Sequence, residues 1–499
     1  MRRMLGRASL LVRRDLHLGN VTERLAAVHG DRRLVTESHG GLVLTHRQAA
    51  KRVARWAGGI AARTEPGDVV VVATPNGYQQ LLLSLAVARA GCIPAPVNDA
   101  MRPEEVAHVV EDSGAAFVLR SAQQVDGHEP VATAVAANGS DVAALFYPSG
   151  TTGKPKGAAL THEALVGSLR AAALFPSELR DDEAVVSLPV AHIMGFITLL
   201  GLAATGTATW FSPRFRAVEV LDAIETRRAA VFIGVPAMYR LLLEAGAEDR
   251  DLRSIRLWGS GADVMPPELA RRFKGMGATV RLPFVGDVGE AAFAEGYGMV
   301  ETGGGVAAKI SPPFLRLGTG DAMGFPVPGY RLRVVDEAGD DVSGGSPGEL
   351  VVKGPGVLRG YWHDEAATAA VLDADGWLHT GDLARRGPLG SIVFAGRKKD
   401  VIMRGGFSVY AVEVEAVIED HADVVEAAVV PLPDERLGEV PAAAVRLRDG
   451  ARLDEASLDA HAREHLSHYK VPVRYVAVDD LPRTGTNKVQ RREVVALFD

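Results

Sequence analysis

The sequence predicts an α/β protein. A large N-terminal domain of helix-covered, mostly parallel sheets carries a small β-barrel-like subdomain, and a small α+β C-terminal domain follows. Three observations predict this. The chain has 499 residues, too many for one compact core, so two or more domains are expected. Short apolar runs alternate with helical patterns through the first half, the rhythm of parallel strands joined by helices. That rhythm changes near Gly320 and again after Arg397, which sets the expected boundaries at 1–397 and 398–499, with the barrel-like part at about 320–397.

Asp68–Asn76 (DVVVVATPN) reads as a buried strand and YQQLLLSLAVARAG as a helix stopped at Gly91. CIPAPVN returns as a strand. RPEEVAHVVEDSGA follows as a helix with Pro103 in its first turn, where an N–H has no partner to lose, and AAFVLR is the next strand. The alternation recurs in AVEVLDAIETRRA, AVFIGVP, MYRLLLEAG and SIRLWGS. After Gly320, YRLRVVDEAGDDVSGG, GELVVKGPG and GSIVFAGR are short strands parted by Gly, Asp and Pro turns. Beyond Arg397, a helix at AVEVEAVIED leads to strands VEAAVVPLP and VPAAAVRL and a helix at DEASLDAHAREHL. The uncharged stretch Ala191–Phe211 reads as a buried helix and a strand rather than a membrane span, because glycines and threonines interrupt it.

Apolar residues make up 47% and charged ones 23%, the balance of an ordinary soluble globular chain. A net charge of -7 gives no basic face, so nucleic acid is not an expected partner. Cys92 is the only cysteine, which excludes an internal disulfide framework and fits a reducing, cytoplasmic setting. Arg7 breaks any apolar signal-peptide core, with an arginine-rich transit sequence as the alternative. No His/Cys cluster has zinc spacing. Gly344–Gly348 (GGSPG) matches the nucleophile-elbow pattern, but a strand rather than a helix is expected after it, so it reads as a turn.

YPSGTTGKPKGAALTH, Tyr147–His162, has the composition of a phosphate loop without being a Walker A loop. Pro155 stands where a Walker loop needs a hydroxyl residue, and Pro148 stands where it needs its first Gly. Still, Ser149, Thr151 and Thr152 can donate, Gly150, Gly153 and Gly157 let backbone N–H groups approach an anion, and Lys154 and Lys156 supply charge. Further on, EGYGMVETGGG follows the expected strand AAFAEG and sets the aromatic Tyr297, with Gly298, beside an expected glycine turn and the carboxylate Glu301. WLHTGDLARR places Asp382 after an expected tight Thr-Gly turn at a strand end. LPRTGTNKVQRREV places Lys488 on an expected exposed turn.

Singly these are weak signals, but six of them in order resemble the adenylate-forming (AMP-binding) superfamily, in its acyl-CoA synthetase branch. YPSGTTGKPKG and YGMVE are similar to its phosphate-loop and base-stacking motifs, and GELVVKGPGVLRGYW, DGWLHTGDL, GRKKDVIMRGG and PRTGTNKVQRR to its later ones, from about Leu44 to the C-terminus. The resemblance implies ATP-dependent coupling of a carboxylate to give an acyl-adenylate, followed by transfer to the thiol of CoA. It implies that Ser149–Lys156 hold the β- and γ-phosphates, that Tyr297 stacks on adenine, that Asp382 accepts from the ribose hydroxyls and that Arg397 lies near ribose and phosphate. Glu301 matches the magnesium ligand, with Thr151 as a second. Lys488 matches the lysine that bridges carboxylate and α-phosphate. Lys399 matches the hinge of a mobile C-terminal lid. Arg404, Gly405 and Gly406, with Tyr469 and Lys470, match the CoA side.

The departures lie at Val300, where a Thr is usual, at Asn487, at Phe407-Ser408, at Asp263, and in FVGDVGEAAFAEG, which is longer than the usual approach to Tyr297. LPVAHIMGF resembles the segment whose His192 flanks the carboxylate entrance. Gly195, Phe196, Val235, Gly261, Ala262 and Gly296 are the expected acyl-pocket residues. No Asp lies between Ser187 and Thr209 to pair a substrate ammonium, so an α-amino acid is not expected in an apolar pocket. The expected partners are a small carboxylic acid, ATP and CoA, with no transmembrane segment. Two alternatives stand beside that reading: a stand-alone adenylating enzyme that loads an acyl carrier protein, and a non-catalytic acyl-adenylate-binding relic.

Overall fold

A computed structural model describes residues 15–148, 154–167, 169, 182–282, 284–313, 322–342, 345–483 and 489–498. Ser149, Gly150, Thr151, Thr152, Gly153, Asn487 and Lys488 lie outside the described residues. The chain divides into two compact units, one spanning Met1–Arg331 with Lys353–Gly376 and the other Leu332–Val352 with Trp377–Asp499.

Among the described residues the main sheet of the first unit has nine strands: β1 (Arg33–Glu37), β2 (Val43–Thr45), β3 (Glu183–Val186), β4 (Ala208–Phe211), β5 (Val231–Gly234), β6 (Leu257–Gly261), β7 (Ala292–Met299), β8 (Gly304–Ser311) and β9 (Ala322–Pro326). They lie in the order β9-β8-β7-β6-β5-β3-β4-β1-β2. From β1 through β7 every neighbour is parallel, and β2, β8 and β9 add antiparallel edges. Central strands such as Ala184–Val186 are buried apolar runs because helices cover both faces of a parallel sheet. Ile193–Thr205, Ala217–Arg227, Pro236–Glu244 and Pro267–Met276 are the helices that follow β3, β4, β5 and β6. Phe232, Tyr239, Trp258, Phe273 and Phe293 fill the space beneath, with ring centroids 4.8–6.1 Å apart and mostly edge-to-face. Each such pair adds about 0.5–1.5 kcal/mol beyond its buried area. The hydroxyl of Tyr239 donates to the Gly259 carbonyl at 2.7 Å, which satisfies the one polar atom of that ring.

Two three-stranded sheets also belong to the first unit. Val69–Val72 pairs in parallel with Ile93–Pro96 on one side and Phe117–Leu119 on the other. Val142–Phe146, Ala158–Thr161 and Gly360–Tyr361 form an antiparallel trio. Among the described residues no helix is long and apolar enough to cross a membrane; Ala191–Phe211 divides into the helix Ile193–Thr205 and β4. The surplus length in FVGDVGEAAFAEG falls on a hairpin, Val280–Leu282 paired with Gly286–Val288, ahead of β7.

In the second unit, β10 (Arg331–Val335), β11 (Gly348–Lys353), β12 (Leu378–Arg386) and β13 (Ile392–Arg397) lie in that order. β11 follows the Gly-Ser-Pro turn as a strand, so the GGSPG match is no nucleophile elbow. A second sheet sets Phe407–Tyr410, Val401–Arg404, Gly438–Leu447 and Val424–Asp434 side by side, with Tyr475–Val478 parallel to Gly438–Leu447. The helices Ala411–Glu419 and Glu455–His465 bury Val414, Ile418, Leu458 and Ala462 against it.

Two expectations need correction. Asp382 does not sit at a strand end: β12 runs unbroken from Leu378 to Arg386. Gly381, at φ +68°, absorbs the expected turn as a kink inside the strand, and its N–H donates to Glu349 Oε1 at 3.2 Å. The glycines after Glu295 likewise do not turn the chain at Tyr297, because β7 continues through Met299. Gly298 is needed for approach rather than for a turn: a Cβ there would lie 1.9 Å from the Gly304 carbonyl oxygen on β8.

Candidate active site

In the first unit the expected site residues gather at the carboxyl ends of adjacent parallel strands, where open α/β sheets form their binding crevices. β3 leads through Leu188 and Pro189 to His192, β5 ends beside Val235, β6 ends at Gly261, and β7 carries Gly296, Tyr297 and Gly298. His192 is the N-cap of the helix Ile193–Thr205, and its Nδ1 accepts from the Met194 N–H at 3.3 Å. Asn76 holds the loop before it, with Oδ1 accepting from the Val190 N–H at 2.9 Å and Nδ2 donating to the Pro213 carbonyl at 2.7 Å.

The six expected pocket residues divide by role. Gly195 is small for packing, since a Cβ there would lie 2.1 Å from the Pro189 carbonyl oxygen. Phe196 is fully buried, edge-to-face with Phe146 at 5.3 Å. Val235 is the buried N-cap of the helix Pro236–Glu244. Gly296 faces open space, with no heavy atom within 4 Å of a built Cβ. A Cβ on Gly261 would meet the Gly296 carbonyl at 3.1 Å and the Met194 methyl at 3.4 Å. Ala262 follows at φ +67°, an unusual conformation for a residue with a Cβ. Met194 thus joins Gly261 and Gly296, and the sequence reading missed it; its place two residues after His192 was the available signal.

Glu301 lies in the single helical turn Val300–Thr302 between β7 and β8. Fully buried Thr302 pins that turn, its hydroxyl lying 2.7 Å from the Gly304 carbonyl and 3.0 Å from the Met299 N–H. Val300 is buried, so the apolar side chain at this departure is accommodated by packing. The main-chain carbonyl of Glu301 accepts from the Leu358 N–H at 2.8 Å, and its carboxylate accepts from the Tyr361 hydroxyl at 3.0 Å. Burial and the Glu301 charge together push the Tyr361 phenol far above its ordinary range. A half-buried carboxylate fixed in this way has the chemistry of a hard oxygen donor, the type that suits magnesium.

Of the two described phosphate-loop lysines, Lys154 is exposed, whereas Lys156 turns to Asp364 with Nζ 2.9 Å from Oδ2. The Lys156 ammonium also lies 5.8 Å from the centre of the Tyr361 ring. Asp364 caps the helix Glu365–Val371 through its other oxygen, which accepts from the Ala367 N–H at 2.8 Å. The short strand Gly360–Tyr361 is bound to the loop exit: the Arg359 N–H donates to the Ala159 carbonyl and the Trp362 N–H to the Gly157 carbonyl. Tyr361 and Asp364 were not singled out from sequence, because their partners lie 60 and 208 positions away.

The second unit holds the remaining described residues. Asp382 and Arg397 are cross-strand partners on β12 and β13, with Nε 3.0 Å from Oδ1 and the Asp382 residue only 2% exposed. Lys398 reaches Glu349 at 3.4 Å. Burial, with the charges of Arg397 and Arg491 adding to it, pushes the Lys399 ammonium below its ordinary value. Gly405 (φ +56°) and Gly406 (φ +83°) form the two-residue turn between Arg404 and Phe407, a turn that needs positive φ at both positions. Arg404 donates to the Tyr469 carbonyl at 2.9 Å and the Val471 carbonyl at 3.2 Å. Phe407 stacks on Tyr469 at 4.7 Å, and Lys470 pairs with Glu413 at 2.6 Å. The expected CoA-side residues therefore share one face of this unit.

Residues 22–362 match the family model described as AMP-binding enzyme, and residues 413–488 match that described as AMP-binding enzyme C-terminal domain. The chain is 34% identical over 483 residues to a feruloyl-CoA synthase of Amycolatopsis sp, covering 92% of this chain and 95% of that protein. Among solved structures it is similar to o-succinylbenzoate CoA synthetase from Bacillus subtilis. The complex of that enzyme with its acyl-adenylate intermediate has a TM-score of 0.82 and 26% identity, covering 95% of this chain and 97% of that one. The complex with ATP and a magnesium ion has a TM-score of 0.81 and 25% identity, covering 95% and 99%.

Proposed function

We propose, from the premise that the chain belongs to the AMP-binding enzyme family and is an AMP-forming acid–thiol ligase, that its substrate is an apolar, aryl-type carboxylic acid and that magnesium accompanies ATP. The activity is ATP-dependent activation of a carboxylic acid through an acyl-adenylate, followed by thioester formation with CoA. One observation carries the substrate reading. Gly296 leaves open space at the carboxyl end of β7, beside Gly261 and the apolar Met194, and the neighbouring helix, Ile193–Thr205, has no carboxylate to pair an ammonium. The aryl acids named for the relatives, feruloyl and o-succinylbenzoate, support the same class.

The chemistry is in-line attack of a carboxylate oxygen on the α-phosphorus, so the chain mainly positions and neutralises charge. In this proposal Ser149–Gly153, Lys154 and Lys156 hold the departing phosphates, Tyr297 and Gly298 take the adenine, and Asp382 and Arg397 take the ribose. Lys488 stabilises the charge that gathers between carboxylate and phosphate, and His192 flanks the entering acid. Glu301, joined by Thr151, would hold magnesium, which when bound neutralises phosphate charge. Lys399 at the 397/398 boundary is the proposed hinge, and Arg404, Gly405, Gly406, Tyr469 and Lys470 the proposed CoA contacts. A cytoplasmic setting is proposed from the lone, buried Cys92. Acid-dependent pyrophosphate release across aryl, fatty and amino acids tests the substrate class. A preference for an amino acid or a short hydrophilic acid would overturn it.

A further inference from the structure

We propose that Tyr361 is a positioning residue for adenylation, its hydroxyl setting the orientation of Glu301 while its ring takes the Lys156 ammonium, so that the phosphate-loop exit and the Glu301 carboxylate are held as one piece. The proposal rests on the reading of Glu301 as the magnesium-holding carboxylate. Four side chains of the first unit carry it. Asp364 holds Lys156 at 2.9 Å, Lys156 sits 5.8 Å from the Tyr361 ring centre, and the Tyr361 hydroxyl donates to Glu301 Oε1 at 3.0 Å. The backbone of this chain of contacts is fixed at both ends. Gly360–Tyr361 pairs with Ala158–Ala159 directly after the loop, and the Leu358 N–H binds the Glu301 carbonyl. The next residue, Trp362, is anchored by its indole N–H to the Ser113 carbonyl at 3.2 Å, so Tyr361 cannot drift without breaking that anchor.

The physical consequence is pre-organisation. A free glutamate in a three-residue turn samples several rotamers, and each must be given up when the carboxylate takes a ligand. A phenol donating to one oxygen leaves the other oxygen to bind and removes that search. Groups that orient a metal-holding carboxylate in this way typically change metal affinity by about 10–100-fold when removed. The aromatic face adds a modest attraction for the Lys156 ammonium that does not depend on the hydroxyl.

The test uses the full chain and four variants: Tyr361→Phe, which keeps the ring and loses the donor; Tyr361→Leu, which loses both; Glu301→Gln; and the Tyr361→Phe, Glu301→Gln double variant. Calorimetry measures binding of a non-hydrolysable ATP analogue as a function of magnesium concentration, and binding of AMP without metal. Tyr361→Phe is expected to raise the half-saturating magnesium concentration about tenfold or more while leaving AMP binding unchanged. It is expected to add no further rise on the Glu301→Gln background. Tyr361→Leu should reproduce that rise and also weaken metal-free binding of the analogue, because the Lys156 contact is lost. An unchanged magnesium dependence in Tyr361→Phe would overturn the proposal, as would its full effect persisting in the double variant. If Glu301→Gln itself leaves the magnesium dependence unchanged, the reading of Glu301 falls first and takes this inference with it.

Discussion

Asp382 and Arg397 oppose each other across β12 and β13, with the guanidinium Nε 3.0 Å from a carboxylate oxygen, although Asp382 is buried and the Arg397 side chain is 43% exposed. A buried acid held by a half-exposed base is a geometry that presents the acid's remaining lone pairs in a fixed direction. Asp382→Ala is expected to raise KM for ATP about tenfold or more, the scale of a lost hydrogen bond to a charged group. Arg397→Ala is expected to weaken ATP binding and to destabilise the second unit by ~1–3 kcal/mol, because it loosens the hold on a buried carboxylate. The two effects should not add: a double-mutant cycle is expected to give a coupling of ~0.5–3 kcal/mol. Strict additivity would separate the pair functionally.

Lys488, which lies outside the described residues, carries the sharpest sequence-derived role. Removing a donor aimed at developing charge costs about 2.7–4 kcal/mol of transition-state stabilisation. Lys488→Ala should therefore slow acyl-adenylate formation by at least about 10²-fold. Single-turnover adenylation measured without CoA checks this, and an unchanged rate would remove Lys488 from the site.

Gly296 and Gly298 stand two residues apart on β7 and should respond oppositely to the same substitution. Gly296→Ala meets nothing within 4 Å, so it should fold normally and shift preference toward smaller acids. Gly298→Ala drives a Cβ to 1.9 Å from the Gly304 oxygen and should destabilise by about 1–3 kcal/mol or more. Thermal midpoints and substrate panels on both variants separate the two roles.

Much of the fold was legible because periodicity and caps were local. Val69–Val72 is a run of four valines, and the helix Pro103–Ser113 opens on Pro and ends at Gly114 in the left-handed region. The order of the motifs nominated the candidate site residues. What the sequence hid was long-range. Asp382 was assigned to a strand end because Thr-Gly usually turns a chain, whereas a paired strand on each side of β12 holds it straight through the glycine. Tyr361 lies within GELVVKGPGVLRGYW but no role of its own was legible there, and Asp364 lies just beyond that motif, since the meaning of each comes from a partner distant in sequence.

His162 sets a pH dependence of stability. It follows the strand Ala158–Thr161, its Nδ1 accepts from the Leu18 N–H at 3.1 Å, and its ring meets His17 at 5.5 Å. Burial, with His17 adding to it and Asp141 opposing, pushes His162 down to about 4 from 6.5, and burial lowers His17 as well. The unfolded chain takes up these protons first, so the stability is fully present above pH 6.5 and is lost as pH falls toward 4. For His162 alone the loss is about 2 kcal/mol by pH 5. His162→Asn, which keeps an acceptor for the Leu18 N–H, should flatten the fall in thermal midpoint between pH 7 and pH 5. An unaltered slope would place the titration elsewhere.

The most direct measurement is pyrophosphate release with ATP and magnesium across aryl, fatty and amino acids, each with and without CoA. Sustained release that requires both an aryl-type acid and CoA is the expected result, with the acyl-CoA product appearing in step. A single burst that CoA does not convert into turnover would contradict CoA as the acceptor and favour a carrier protein. No release with any acid would contradict the ligase itself.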